Sequence, residues 1–186
     1  MSLRYQKSGR SIERHLLTAI GLALCFSASA ASEPKTSDQE SATGDYAPTH
    51  CKPDEKVIFS CPLKTGKTVS LCASPDLARG TGALQYRFGK TGQPLKLAYP
   101  KPAKHPGNYF SLDSSHGGQW SLHELGFSVG EFRYEILVQT NSAIPEDGAS
   151  LSVFRGRRRA ADMECRFDEA TNNMWMLEEL GIPPPR

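Results

Sequence analysis

Short runs in which apolar and polar residues alternate are the feature that most constrains this fold. A period of two is typical of β-strands that bury one face. Glycine-containing turns separate the runs. The runs lie at 57–61, 68–72, 84–88, 95–99, 119–128, 132–139, 151–154 and 160–167, with a weaker one at Phe110 and Leu112. The sequence therefore predicts a mostly β domain, either an antiparallel β-sandwich or a small barrel.

One α-helix is predicted after the last strand. Asp168 is placed to cap it, and Met174, Leu177 and Leu180 recur at helical spacing. Gly181 stands where a helix would end, and three prolines follow it. The expected fold is thus a β domain with a single C-terminal α-helix.

Residues 1–31 have the pattern of a secretory signal peptide. Basic residues come first, the apolar run 16–26 follows, and small residues close the segment. The run is shorter than the roughly 20 apolar residues that span a bilayer. Leu24 precedes Cys25, where lipoprotein processing needs a small residue, so we expect no lipid anchor. We expect cleavage near Ala30 and a location in the periplasm or outside the cell.

Removing the signal peptide changes the charge of the chain. Four of the 22 basic and one of the 20 acidic residues lie in the first 30, which leaves 18 − 19 = −1. A nearly neutral protein has no electrostatic footprint for nucleic acid. The predicted organisation is a signal peptide (1–30), a flexible polar leader (31–50) and one disulfide-stabilised β domain (51–186).

Four cysteines remain after cleavage, namely Cys51, Cys61, Cys72 and Cys165. An even number in an exported chain predicts two disulfides, and four cysteines allow three pairings. We expect Cys61–Cys72 across a hairpin and Cys51–Cys165 between the start of the domain and its last strand. No two cysteines have the short spacing that zinc sites use, which disfavours a thiolate metal site.

Three connections are longer than a hairpin needs, at Pro100–Asn108, Asp113–Gly118 and Asn141–Gly148. Function is concentrated on such loops. The second belongs to the densest polar stretch of the chain, residues 113–124. This stretch holds the residue types of nucleophilic catalysis and of metal sites, but it has neither a G-x-S-x-G nor an H-E-x-x-H motif.

We therefore expect no enzymatic activity, no cofactor and no metal. A recognition loop is the favoured interpretation of residues 113–124, with Ser115, His116 and Trp120 as candidate binding residues, because aromatic side chains often anchor interfaces.

A second candidate surface is the arginine cluster at 155–159, which is expected at a hairpin tip. Arg157 and Arg158 are its candidate binding residues for an acidic partner surface. The alternative is a solvated hairpin tip without a partner.

Two resemblances accompany these patterns. The stretch Cys61–Ser74 (CPLKTGKTVSLCAS), followed by LQYRFG at 84–89, resembles a group of small exported bacterial proteins. That resemblance extends over most of the mature domain. It supports the assignment of one domain and gives no information on activity. The opening hairpin also resembles that of periplasmic inhibitors of c-type lysozyme, which are small disulfide-bonded β-barrels with a Ser-Gly-x-x-Tyr loop. The nearest loop here, 115–118, has no matching Tyr.

The leading functional interpretation is an exported periplasmic binding protein that catalyses no reaction and whose ligand is unknown. Its expected partner is an envelope protein or a cell-wall enzyme, and we expect neither nucleic-acid binding nor a membrane span. One alternative is an inhibitor or immunity-type protein against a cell-wall hydrolase such as lysozyme. The other is a hydrolase that uses the 113–124 loop.

Overall fold

The computed structural model describes residues 48–144 and 147–185. The predicted signal peptide and most of the predicted leader lie outside this part of the chain. Within it, strands are the dominant element, as the alternating pattern predicted. The strands are β1 (Lys56–Pro62), β2 (Thr68–Ala73), β3 (Leu84–Gly89), β4 (Leu97–Lys104), β5 (Ser111–Gly117), β6 (Trp120–Val129), β7 (Phe132–Asn141), β8 (Gly148–Arg155), β9 (Arg158–Glu164) and β10 (Thr171–Asn172).

The strands form two antiparallel sheets in a sandwich-like arrangement. The first sheet has the order β10-β1-β2-β3-β4 and the second the order β5-β6-β7-β8-β9. The chain completes the four long strands of the first sheet, builds the whole second sheet, and returns with β10 to the edge of the first. The prediction of a mostly β, antiparallel sandwich is confirmed.

The core lies between the two sheets and is built around aromatic side chains. Phe127 of the second sheet stacks on Tyr134 with ring centroids 4.9 Å apart. From the first sheet, Tyr86 and Tyr99 reach Phe127 at 4.7 and 5.1 Å. Because successive strand residues point to opposite faces, the period of two brings these rings and the aliphatic residues in step with them to the inner faces.

The first sheet is also covered on its outer face. Every residue of β2 is buried, which requires cover on both sides. The segment 48–55 supplies part of that cover: the His50 backbone N–H donates to Ser70 Oγ at 3.0 Å, and Ser60 Oγ donates to the Pro48 carbonyl at 2.8 Å. Contacts with the sheet thus include Pro48, the first described residue and three residues before the expected start of the domain at Cys51.

The structure forms two disulfides, but the expected pairing was wrong. The bonds are Cys51–Cys72 and Cys61–Cys165, with Cα atoms 5.2 and 5.8 Å apart. In the β1–β2 hairpin, Cys61 is opposite Val69, so Cys72 lies three residues further along its strand. Cys61 also belongs to the core cluster, whereas Cys72 follows the core residue Leu71 and points to the other face. The two cysteines therefore cannot meet across the hairpin.

Two expected loops are strands. Residues 113–117 belong to β5, whose hairpin with β6 turns at Gly118-Gln119. The segment Pro100–Lys104 belongs to β4, which tolerates prolines because it is the edge strand of its sheet. The apolar pattern missed both because neither segment alternates hydrophobic side chains.

The helix expected at the C terminus is present over Met174–Leu180 and is wound as a 3₁₀ helix. It begins after Asn173, and Gly181 ends it at φ 71°. Asp168, the expected cap, lies instead in a separate 3₁₀ turn, Phe167–Glu169. A third such turn covers Pro106–Asn108. No helix in residues 48–144 and 147–185 is long and apolar enough to cross a membrane.

Candidate metal site

His123 lies on the inner face of β6, where the core becomes polar. It is two residues before the core residue Leu125 and only 4% of it is exposed. Its cross-strand neighbours are Ser114 of β5 and Val138 of β7. An imidazole here is on the same face as the core and is held in place by packed strands on both sides.

His116 of β5 points to the same face. It is opposite Ser121 in the β5–β6 register, one inward position further along the hairpin from the Ser114–His123 pair. The two imidazole rings are 5.6 Å apart at an angle of 74°. The side chain of His116 is 52% exposed, so the site opens to solvent on its side.

Glu178 completes the group from the C-terminal helix. Met174, Leu177 and Leu180 are buried and hold this helix on the core. Glu178 Oε1 lies 2.6 Å from His123 Nε2 and 3.0 Å from His116 Nε2. One carboxylate oxygen therefore meets two imidazole nitrogens from adjacent strands.

Two imidazoles and one carboxylate are a donor set for divalent transition metals, zinc among them. The three candidate ligand atoms lie within 4.8 Å of one another. Zinc binds nitrogen and carboxylate oxygen at about 2.0–2.2 Å, which puts the ligands of a tetrahedral ion roughly 3–3.5 Å apart. Small side-chain movements would bring these three atoms to such an ion.

Two buried polar atoms beside the site have no hydrogen-bond partner among the described residues. They are His123 Nδ1 and Ser114 Oγ, and both residues belong to the same cross-strand pair. A histidine that binds a metal through Nε2 carries its proton on Nδ1 and usually donates it to an acceptor. Ser114 Oγ and His123 Nδ1 are not hydrogen-bonded to each other in this structure, but as the cross-strand neighbour Ser114 is the candidate acceptor once an ion is bound.

A second cluster with metal-ligand residue types, Cys51, Glu55 and Cys72, does not have this chemistry. Both cysteines are joined in a disulfide, so no thiolate is available to a metal.

The structure separates the candidate residues that the sequence grouped. His116 points inward, whereas Ser115 and Trp120 lie on the outer face of the same hairpin. Trp120 is 43% exposed, and its indole packs over Gly117, where a Cβ would approach Trp120 Nε1 to 2.4 Å. Gly117 is thus required for the position of the indole.

The arginine cluster is remote from this hairpin. Arg157 is in the β8–β9 turn and Arg158 begins β9. Strands β5 and β9 are opposite edges of a five-stranded sheet, so about 19 Å separates them at 4.8 Å per strand. Arg157 and Arg158 therefore form a separate surface from His116.

Two residues of the metal-ligand group were not among the candidates predicted from the sequence. His123 was detectable, because a turn at Gly118-Gln119 places residues 116 and 123 on one face of a hairpin. Glu178 had no such signal, since 55 residues separate it from His123.

Comparisons of the chain with protein-family models, with curated proteins and with solved structures find no match.

Proposed function

We propose that this chain is an exported, non-enzymatic binding protein whose ligand is a divalent transition-metal ion, with zinc the best fit. The observation that carries the proposal is the convergence of His116 Nε2 and His123 Nε2 on Glu178 Oε1 at 3.0 and 2.6 Å. The burial of His123 supports the proposal, because packing between β5 and β7 holds its imidazole in one position.

The competing explanation is a hydrogen-bonded cluster in which imidazole N–H groups donate to Glu178 and no metal is bound. Metal titration separates the two, since an ion pair needs no metal. We expect isothermal titration calorimetry to show one Zn²⁺ per chain, with little binding of Mg²⁺ or Ca²⁺, which prefer oxygen ligands.

Single-residue variants test whether the ion binds at His116, His123 and Glu178. His116→Ala removes a partly exposed ligand, and Glu178→Gln removes the carboxylate charge. Loss of an outer-shell partner typically costs ~10–100-fold in metal affinity, so losing a direct ligand should cost at least about 100-fold. The matched controls are Ser115→Ala, on the opposite face of β5, and Glu179→Gln, the adjacent exposed carboxylate of the helix. Equal affinities in His116→Ala and Ser115→Ala would refute the site.

Export is the second part of the proposal. Its support is the signal-like pattern of residues 1–31 and the two disulfides, which persist in oxidising compartments such as the periplasm. Mass spectrometry of the protein released from the periplasm of an expression host should give a mature N terminus at residue 31 or 32. Retention of residues 1–30 in the released protein would contradict export by cleavage.

The hydrolase alternative is the second candidate function, and one observation favours it. Three protein ligands leave the fourth position of a tetrahedral ion to water, which is the arrangement of catalytic zinc. Hydrolysis by the zinc-loaded protein would have to be lost in His116→Ala. Absence of turnover on ester, peptide and glycoside substrates would contradict the hydrolase alternative and favour metal binding alone.

A protein partner from the envelope remains a prediction. Ser115 and Trp120 are exposed on the outer face of the second sheet, away from the metal ligands. Substitution of Trp120 therefore tests partner binding without altering the metal site.

A further inference from the structure

A groove of about 750 Å³ lies on the outer face of the first sheet, independent of the metal site. The segment 48–55 forms one wall and the β3–β4 hairpin forms the other. Arg87 and Gln85, which point away from the core, lie at its floor. The groove has the size of a small-molecule or headgroup site, for which ~300–1,000 Å³ is usual.

The walls of the groove are basic. Lys52, Lys96 and Lys101 line it, and among the described residues that line it there is no Asp or Glu. None of the three lysines forms a salt bridge within the described part of the chain. Three lysines without a direct ion pair around one concave surface concentrate anions there.

The floor is preorganised by hydrogen bonds. Arg87 is only 6% exposed, and its Nη1 and Nη2 donate to the two oxygens of Glu55, each at 2.6 Å. Its Nη1 also donates to the His50 carbonyl at 2.8 Å, and its Nε donates to Gln85 Oε1 at 2.8 Å. The carboxylate of Glu55 is thus paired directly with Arg87, and Lys52 is the one groove lysine that also interacts with its charge.

Arg87 and Gln85 also each have an N–H group that no hydrogen bond among the described residues uses. Arg87 Nη2 has two N–H groups and uses one, on Glu55. Gln85 Nε2 likewise uses one of its two N–H groups, on the Pro100 carbonyl at 2.8 Å. A ligand with several anionic oxygens would take these donors while its charge is balanced by the lysines.

An apolar patch completes the lining. Leu95 is 40% exposed, and Pro94 and Ala98 line the groove with it. A free inorganic anion would leave this patch in water, whereas a lipid would cover it with the start of its acyl chains. We infer that the groove binds the phosphorylated headgroup of an anionic lipid, with the lysines and the Arg87 floor on the phosphate and Leu95 on the acyl side.

The test is binding to vesicles of phosphatidylglycerol and of phosphatidylcholine, with inorganic phosphate as a separate arm. A lysine near an anionic membrane contributes about fivefold in affinity, so the triple variant Lys52→Gln, Lys96→Gln, Lys101→Gln should bind phosphatidylglycerol roughly 100-fold more weakly. The matched control is Lys56→Gln, Lys90→Gln, Lys104→Gln, which removes the same charge outside the groove.

Four outcomes are informative. Binding to phosphatidylglycerol that the groove variant loses and the control variant keeps supports the inference, and a further loss in Leu95→Ser supports acyl contact. Equal losses in both triple variants would mean non-specific charge attraction and would overturn it. Equal binding to both vesicle types overturns it too. Binding of inorganic phosphate without binding to either vesicle type also overturns it.

Discussion

At the scale of single residues, the informative positions are buried polar atoms without partners. A buried donor or acceptor that loses its hydrogen bond costs ~1–3 kcal/mol, so each such atom needs a physical or functional reason. In the described residues there are three, on Tyr86, Ser114 and His123. Two flank the proposed metal site. The third, the hydroxyl of Tyr86, lies in the aromatic core.

The Tyr86 hydroxyl is a cost to stability. Burial, with the neighbouring Tyr134 as a smaller cause, raises the pKa of Tyr86 far above its ordinary value. Tyr86→Phe removes an unpaired hydroxyl and keeps the ring on Phe127, so we expect it to raise the free energy of unfolding by about 1 kcal/mol. Urea denaturation measures the change, with Tyr134→Phe, a partly buried ring, as the control. A destabilised Tyr86→Phe would mean that the hydroxyl has a partner.

For the Ser114 hydroxyl we expect a benefit instead of a cost, because it would orient the His123 imidazole once a metal is bound. Ser114→Ala should weaken Zn²⁺ binding by ~10–100-fold, because the metal-bound protein would lose the hydroxyl to which His123 Nδ1 is expected to donate. Ser114→Thr keeps the hydroxyl and should restore the affinity. Without metal, Ser114→Ala should not be less stable than the wild type, because it removes a buried hydroxyl that has no partner. A loss of stability without a loss of zinc affinity would show that Ser114 serves only packing.

At the scale of elements, charged groups help to hold two segments on the sheets. The C-terminal helix meets the β5–β6 hairpin through Glu178. The segment 48–55 is fastened to the first sheet by the Cys51–Cys72 bond and by Glu55 on Arg87. Both attachments therefore depend on charge as well as on apolar packing.

The Glu55–Arg87 attachment predicts a pH dependence. Burial raises the pKa of Glu55, but hydrogen bonds from Arg87 and from the Lys52 backbone N–H, with the charge of Arg87, outweigh it and hold the pKa below the ordinary 4.5. A lowered carboxylate pKa stabilises the fold above pH 4.5, and this contribution is lost as the pH falls through the lowered value. Stability measured from pH 6 to pH 2 should fall less steeply in Glu55→Gln than in the wild type. The same slope in Glu179→Gln and in Glu55→Gln would contradict the assignment to Glu55.

At the scale of the whole molecule, one of the two disulfides joins the two sheets. Cys61 belongs to β1 of the first sheet, and Cys165 follows β9 of the second directly. Its sequence separation is 104 residues, against 21 for Cys51–Cys72. The inter-sheet bond therefore restricts the unfolded chain more than the local one does.

Removing each bond tests that difference. In the chain-entropy model the Cys61–Cys165 bond contributes about 4.7 kcal/mol and the Cys51–Cys72 bond about 3.3 kcal/mol. Replacing Cys61 and Cys165 by Ser should therefore destabilise the protein more than replacing Cys51 and Cys72 by Ser. Thermal unfolding of the two variants measures the order, and a reversed order would show that the segment 48–55 has the larger structural role.

What sequence alone determined is local. The period of two located most strands, because alternation decides which side chains one face of a strand can bury. Gly181 marked the end of the helix, because glycine adopts a positive φ without strain. Four cysteines in a chain with a signal-like start indicated two disulfides. Each of these follows from the conformations of neighbouring residues or from composition.

The tertiary structure alone decided the features that depend on which elements become neighbours. The sequence separates His123 from Glu178 and Cys61 from Cys165, and no local pattern relates the members of either pair. Sheet order and packing set these proximities, since the hydrophobic effect selects the buried faces without specifying which polar groups meet at their edges. The disulfide pairing, the inward orientation of His116 and the metal-ligand group therefore emerged only when the two sheets and the C-terminal helix were assembled.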